Sequence, residues 1–150
     1  MDGLVYSEVT MPICQGVWGN HYVVISDWRV DVVLPDGREF RIVVEKGFVF
    51  DGASIPRLLW RLCGHPLEVP RIAAALAHDW LYASHAVDRA TADAIYREIC
   101  RMVGIGWLRR GVEYGALRLF GDAAFRAHGP NDQYSANQLG SLEITSKALG

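Results

Sequence analysis

The sequence predicts an α+β fold, with a small antiparallel sheet over about residues 22–50 followed by three to four packed helices. Three observations predict it. The first third of the chain alternates apolar and polar residues with a period of two. A proline–aspartate–glycine turn interrupts that alternation at its middle. Beyond residue 70 the apolar residues recur at helical spacing, with capping residues between the runs.

Tyr22–Ser26 (YVVIS) is a short β-branched run, and Trp28–Leu34 (WRVDVVL) alternates Trp28, Val30 and Val32 against Arg29 and Asp31. Pro35-Asp36-Gly37 is the turn, because proline fixes φ and glycine supplies a positive φ. Glu39–Glu45 (EFRIVVE) alternates again and Phe48–Phe50 continues the sheet, so the region reads as a meander centred on one hairpin. The pattern changes at Asp51. Ser54 and Pro56 are helix-start residues and predict a short helix over Pro56–Cys63, ended by Gly64-His65-Pro66. Pro70 opens a second helix to about Ser84. Asp88 caps a third, to about Val103, with Gly104 past its end. Trp107 to about Phe125 is a fourth, carrying Leu108, Val112, Leu117, Leu119 and Phe120, although Gly111, Gly115 and Gly121 weaken it. Residues 1–127 form the expected domain. From His128 to Gly150 the chain turns polar and is expected to be a tail, or an assembly arm that lays Leu139, Leu142 and Ile144 on a neighbouring subunit.

A chain of 150 residues is long enough for one domain with a core, and its 51% hydrophobic content fits a globular protein. The net charge of -2 and pI of about 6.2 argue against a nucleic-acid partner bound through bulk charge. Cys14, Cys63 and Cys100 make an odd set without a C-x-x-C pair, so neither a zinc ribbon nor a disulfide framework is expected, and a reducing compartment is. The start, MDGLVYSEVT, does not read as a signal peptide, and no apolar run is long enough for a transmembrane segment.

The most informative segment is residues 71–82, RIAAALAHDWLY, where His78 and Asp79 interrupt an apolar helix. A buried charge without a partner costs several kcal/mol, on the order of 3–5, so both side chains need partners. Neighbours on a helix point about 100° apart, so His78 and Asp79 face different directions, whereas Tyr82 and His85 share the face of His78. Asp93, on the next helix, reaches His78 if the two helices fold back on each other. A carboxylate on one imidazole nitrogen fixes the tautomer and leaves the other as base or ligand. The loop Gly47–Pro56 (GFVFDGASIP) adds Asp51 and Ser54.

Two chemistries fit. In one, His78 activates water, Asp93 orients it, Tyr82 supports it as a donor, and Asp79 holds calcium with carbonyls of the Gly47–Ala53 loop. In the other, His78, Asp79 and Asp51 ligate a transition metal, although His21, His65, His85 and His128 offer no convincing further ligand. A structural alternative stands beside both: His78 bonds a carbonyl, Asp79 pairs with Arg89, Asp93 pairs with Arg97, and Asp51 and Ser54 cap a turn and a helix. Arg57, Arg61, Arg109 and Arg110 make a basic set near Trp60 and Trp107, suited to phosphates or lipid headgroups, or to a solvated surface.

At FDGASIPRLLW, AALAHDWLY and RATADAIYREI, over about residues 20–122, the chain resembles a family of small phage and prophage proteins known as a domain of unknown function. The resemblance implies a protein made in the host bacterial cytoplasm and, in one reading, carried in the virion. More distantly, HDWLY with a later aspartate resembles the His-Asp helix of phospholipases A2. That resemblance implies a general base at His78, a calcium ligand at Asp79 and an orienting carboxylate at Asp93, without the flanking cysteines and with only Gly47–Ala53 in place of the calcium loop. The leading expectation is therefore a His/Asp hydrolase, calcium-assisted, acting on an ester or similar bond of the cell envelope. The competing expectation is a non-catalytic virion component of a tail, connector or baseplate, joined to other phage proteins through its C-terminal arm.

Overall fold

The computed structural model describes residues 5–6, 9–19, 21–51 and 69–145. A short hairpin, β1 (Val5–Tyr6) and β2 (Val9–Thr10), precedes two three-stranded antiparallel sheets. One sheet holds β3 (Cys14–Trp18), β4 (His21–Val24) and β7 (Val49–Phe50) in the order β3-β4-β7. The other holds β5 (Trp28–Val33), β6 (Glu39–Val44) and β8 (Gly140–Thr145) in the order β5-β6-β8. The described helices are α1 (Ile72–Ser84), α2 (Arg89–Met102), α3 (Trp107–Ala127) and α4 (Pro130–Gln138). The fold is α+β.

The β5–β6 hairpin follows its alternation closely. Trp28, Val30 and Val32 face Val44, Ile42 and Phe40 across the ladder, and all six are buried. Each such side chain contributes roughly 1.5–3 kcal/mol when fully buried. The outer face pairs Arg41 with Asp31 at 3.0 Å. At the turn, the Gly37 amide donates to Leu34 at 2.9 Å, and Gly37 takes a φ of 90°, which a side chain would strain.

The expected meander is divided in two. β4 pairs with β3 and β7, not with β5. The reason lies after β6, where Gly47 adopts a φ of 100° and carries the chain across to β4. The Gly47 amide donates to Val24 at 2.7 Å, the Val24 amide to Phe48 at 2.9 Å, and the Lys46 amide to Asp27 Oδ1 at 2.9 Å.

Helix α1 is apolar on nearly every side and occupies the centre, in contact with β6, β7 and the other three helices. It ends at His85, whose left-handed conformation (φ 51°) returns its amide to Leu81 at 3.1 Å. Asp88 then accepts from the Thr91 amide at 3.2 Å and starts α2, which folds back onto α1. Helix α3 departs from its sequence pattern. Leu117 is buried, but Leu108, Val112, Leu119 and Phe120 face solvent.

Residues 130–145 fold as α4 and β8 and pack on this chain's own core. The carbonyl of Ala136 accepts from Trp80 Nε1 at 2.9 Å, and that of Leu139 from the Glu45 amide at 2.7 Å. β8 then pairs with β6 along its whole length, from Gly140 opposite Val44 to Thr145 opposite Glu39. Leu139 and Leu142 pack on the core, whereas Ile144 is exposed. The boundary expected at residue 128 thus falls within one packed unit. The expected helix over Pro56–Cys63, with Ser54, Trp60, Arg57 and Arg61, lies outside the described residues. Among the described residues no helix is long and apolar enough to cross a membrane.

Candidate functional site

Helix α1 carries two regions on two of its faces. Inward, His78 reaches across to α2, where its Nε2 lies 2.8 Å from Asp93 Oδ1. Tyr82, one turn on, donates its hydroxyl to the same oxygen at 2.6 Å. The other oxygen, Oδ2, accepts from Arg118 Nη1 of α3 at 3.0 Å, with Arg89 Nη1 at 3.7 Å. His78 and Asp93 are both 0% exposed. Burial alone would push the Asp93 carboxyl up, but the bonds from His78, Tyr82 and Arg118 together hold it below the ordinary carboxylate range. An ionised carboxylate only accepts, so His78 Nε2 carries the proton and donates. Burial, reinforced by the bond to Asp93, pushes the Tyr82 phenol far above its usual range and keeps it a donor.

This network binds three helices together. Gly121 makes it possible on α3, since a Cβ there would sit 2.5 Å from the Tyr82 hydroxyl. Arg89 does not pair with Asp79, as the structural alternative had it, but caps the Leu117 and Arg118 carbonyls at 2.9 and 3.3 Å. His85 stands apart. It stacks on Phe125 at 3.9 Å and its Nε2 donates to the Phe125 carbonyl at 2.7 Å, which ties the end of α1 to α3.

Outward, Asp79 turns to a cavity of about 530 Å³ between the β4–β7 edge and helices α1, α3 and α4. Its Oδ2 accepts from the Asp51 amide at 3.2 Å. Asp51, His21, Tyr82, His128 and Ser135 share the wall, and Phe48, Phe50 and Leu139 make it largely apolar. Tyr82 thus belongs to both regions, with its ring at the cavity and its hydroxyl on Asp93. The structure brings His78, Tyr82 and Asp93 together in the interior, and Asp79 and Asp51 together at the cavity.

Sequence reasoning set His21 aside. The register of β4 against β7, Tyr22 opposite Phe50, puts His21 across from Asp51, and their Nε2 and Oδ2 atoms lie 3.6 Å apart. The His21 ring stacks on Trp18 at 5.3 Å, and its Nδ1 is buried without a hydrogen-bond partner. The only available signal was the strand pairing itself. His128 likewise sits 3.8 Å from Asp132 at the α4 side of the cavity. Among the described residues no group of three or more His, Cys, Asp or Glu side chains is arranged to hold a metal ion.

Glu113 and Cys100 are buried outside both regions. Glu113 on α3 has Oε1 at 2.9 Å from Arg71 Nε, out of hydrogen-bond alignment, and Oε2 without a partner. Burial pushes its carboxyl up against the opposing pull of Arg71 and Arg109. Cys100 is pushed up to about 12 by burial and then by the Glu113 charge, so its thiol is not a nucleophile at neutral pH. Burial alone pushes the Cys14 thiol up to about 11.

Comparison with known families gives one result. The family model for "Protein of unknown function (DUF1353)" matches residues 26–117, more than half of the chain, and the chain belongs to that family. The matched span contains Asp51, His78, Asp79, Tyr82 and Asp93, and leaves out His21, Arg118 and the α4 wall of the cavity. No curated protein and no solved structure matches the chain.

Proposed function

We propose that this member of the DUF1353 family is a hydrolase of phage or prophage origin whose reaction takes place in the cavity beside Asp79, acting on an ester or similar bond of the cell envelope. One observation carries the reading. Asp79 and Asp51 are joined at the wall of a largely apolar cavity, and Tyr82 ties that wall to the buried His78–Asp93 pair. The phage or prophage origin rests on the three sequence motifs.

In this reading the roles divide. The His78 side chain is 1% exposed and is not part of the cavity wall, so it acts as a positioning residue that fixes Tyr82 and α1. His21 takes the proton from the attacking water on Nε2, and the Asp51 carboxylate, 3.6 Å away, stabilises the imidazolium that forms. Asp79 and Asp51 would supply hard oxygen ligands for calcium, which would polarise the scissile carbonyl. The apolar wall receives the acyl part of the substrate.

The test is hydrolysis of short- and medium-chain esters by the full chain, in calcium and in chelator. Turnover that His21→Ala lowers by about 100-fold, the usual scale for loss of a general base, supports the reading. Absence of turnover in either condition rejects it. A second reading, a non-catalytic virion component, is favoured by one observation, the engagement of both Asp93 oxygens by His78, Tyr82 and Arg118. It predicts no turnover, and binding of the full chain to other virion proteins.

A further inference from the structure

Where α2 packs on α3, the two helices enclose a hollow of about 270 Å³. Among the described residues it shares no lining side chain with the cavity beside Asp79. Helical spacing builds it. Arg97 and Arg101 are one turn apart on α2, Arg110 and Tyr114 are one turn apart on α3, and Pro35 of the β5–β6 turn lines it too. Among the described residues of the hollow, three guanidinium groups meet one carboxylate, Glu98. Two positive charges are thus left over, in a chain whose net charge is -2.

The three arginines are held in place. Arg101 Nε and Nη2 both donate to Glu98 Oε1, at 2.8 and 2.6 Å. Arg110 Nη1 donates to the Ile105 carbonyl at 2.6 Å. The Arg97 guanidinium lies 5.0 Å above the Tyr114 ring. A carbonyl and an aromatic face orient Arg110 and Arg97 but leave their charge uncompensated. Like charges one turn apart on a helix repel, and the second helix brings a third cation into the same space. A bound anion relieves that repulsion.

We propose that this hollow binds a phosphate dianion, free or as the phosphomonoester of a small molecule or a lipid headgroup. Charge selects it, since two uncompensated cations match a dianion, whereas a carboxylate carries a single charge. Shape selects it as well. Planar guanidinium groups arriving from two helices meet different oxygens of a tetrahedral group, each through paired N–H donors. The hollow is several times the share of one water, about 30 Å³, and accepts a phosphate together with part of the molecule that bears it. The inference does not depend on the cavity beside Asp79 being catalytic.

The test is isothermal titration calorimetry of the full chain with inorganic phosphate, at about pH 8, where a phosphate group is doubly charged. Chloride holds the ionic strength constant. The expected result is saturable binding of one phosphate per chain. Arg97→Gln should lower the affinity by at least about 10-fold, and Arg29→Gln, an exposed arginine of β5, should leave it unchanged. Arg97 is exposed, so an unchanged melting temperature would show that the fold is intact. Arg101→Gln, which also releases Glu98, should weaken binding at least as much. Two arms distinguish the source of the group, and either supports the site. Binding of glycerol 3-phosphate as tight as that of phosphate would place the group on a small soluble molecule. Pelleting with phosphatidic acid vesicles that inorganic phosphate reverses would place it on a lipid. Three results would overturn the proposal: no saturable heat, binding that vanishes once the ionic strength is held constant, or equal affinity in Arg97→Gln. The readout is binding at another face, so a failure of the hydrolase reading would leave it unaffected.

Discussion

The inner and outer faces of α1 differ in what their polar groups adjoin. Inside, Asp93 receives His78 and Tyr82 on one oxygen and Arg118 on the other, at distances from 2.6 to 3.0 Å. Outside, Asp79 and Asp51 face a cavity, and the neighbouring His21 keeps a buried nitrogen without a hydrogen-bond partner. Adjacent residues of one helix therefore have different tasks. Completed hydrogen bonding fixes geometry and resists change. Groups at a cavity wall are in position to engage something that enters.

The comparison can be broken first at Asp93. Asp93→Ala leaves a buried histidine and phenol and a partly exposed guanidinium without their acceptor, so a loss of about 3–5 kcal/mol is expected in denaturant unfolding. Gly121→Ala comes next. The new methyl would meet the Tyr82 hydroxyl at 2.5 Å, and overpacking of this kind costs about 1–3 kcal/mol, readable as a lower melting temperature. Tyr82→Phe removes one donor, at about 1–2 kcal/mol by the same measurement.

Acid unfolding sharpens the contrast with a third carboxylate, Glu113. The Asp93 carboxyl is held below its ordinary value of 3.8, so its stabilising contribution is complete above that pH and is lost as pH falls through the folded value. Tyr82→Phe weakens that hold and should move acid unfolding to higher pH. Glu113 is raised above its ordinary 4.5, because burial outweighs the pull of Arg71, which is out of hydrogen-bond alignment, and of Arg109. The folded state therefore holds this proton longer, and stability declines as pH rises from 4.5 through the folded value. Glu113→Gln should remove that decline and change stability at neutral pH by less than about 1 kcal/mol, as urea melts across pH would show. Asp79→Asn retains an oxygen for the Asp51 amide and is expected to cost less than Asp93→Ala, as the same denaturant unfolding would show.

The elements legible in the sequence are those whose local pattern and packing agree. Trp28–Val33 and Glu39–Val44 alternate because one face is core, and Asp88 caps because its side chain reaches Thr91. The segment beyond His128 misleads because α4 buries only Ala136 and β8 is an edge strand, so neither needs an apolar run. The apolar residues of α3 mislead in the opposite direction, toward a core that does not cover them. At the site, Tyr82 and Asp93 could be read from helical spacing and a short turn. Arg118 could not, since it arrives from α3, and His21 could not, since strand register alone sets it beside Asp51.

The division between a fixed interior and a working cavity is tested most directly by ester turnover in Asp79→Asn protein whose melting temperature matches that of the wild type. The account predicts that turnover falls by at least about 10-fold with the fold intact. Turnover equal to that of the wild type would contradict it.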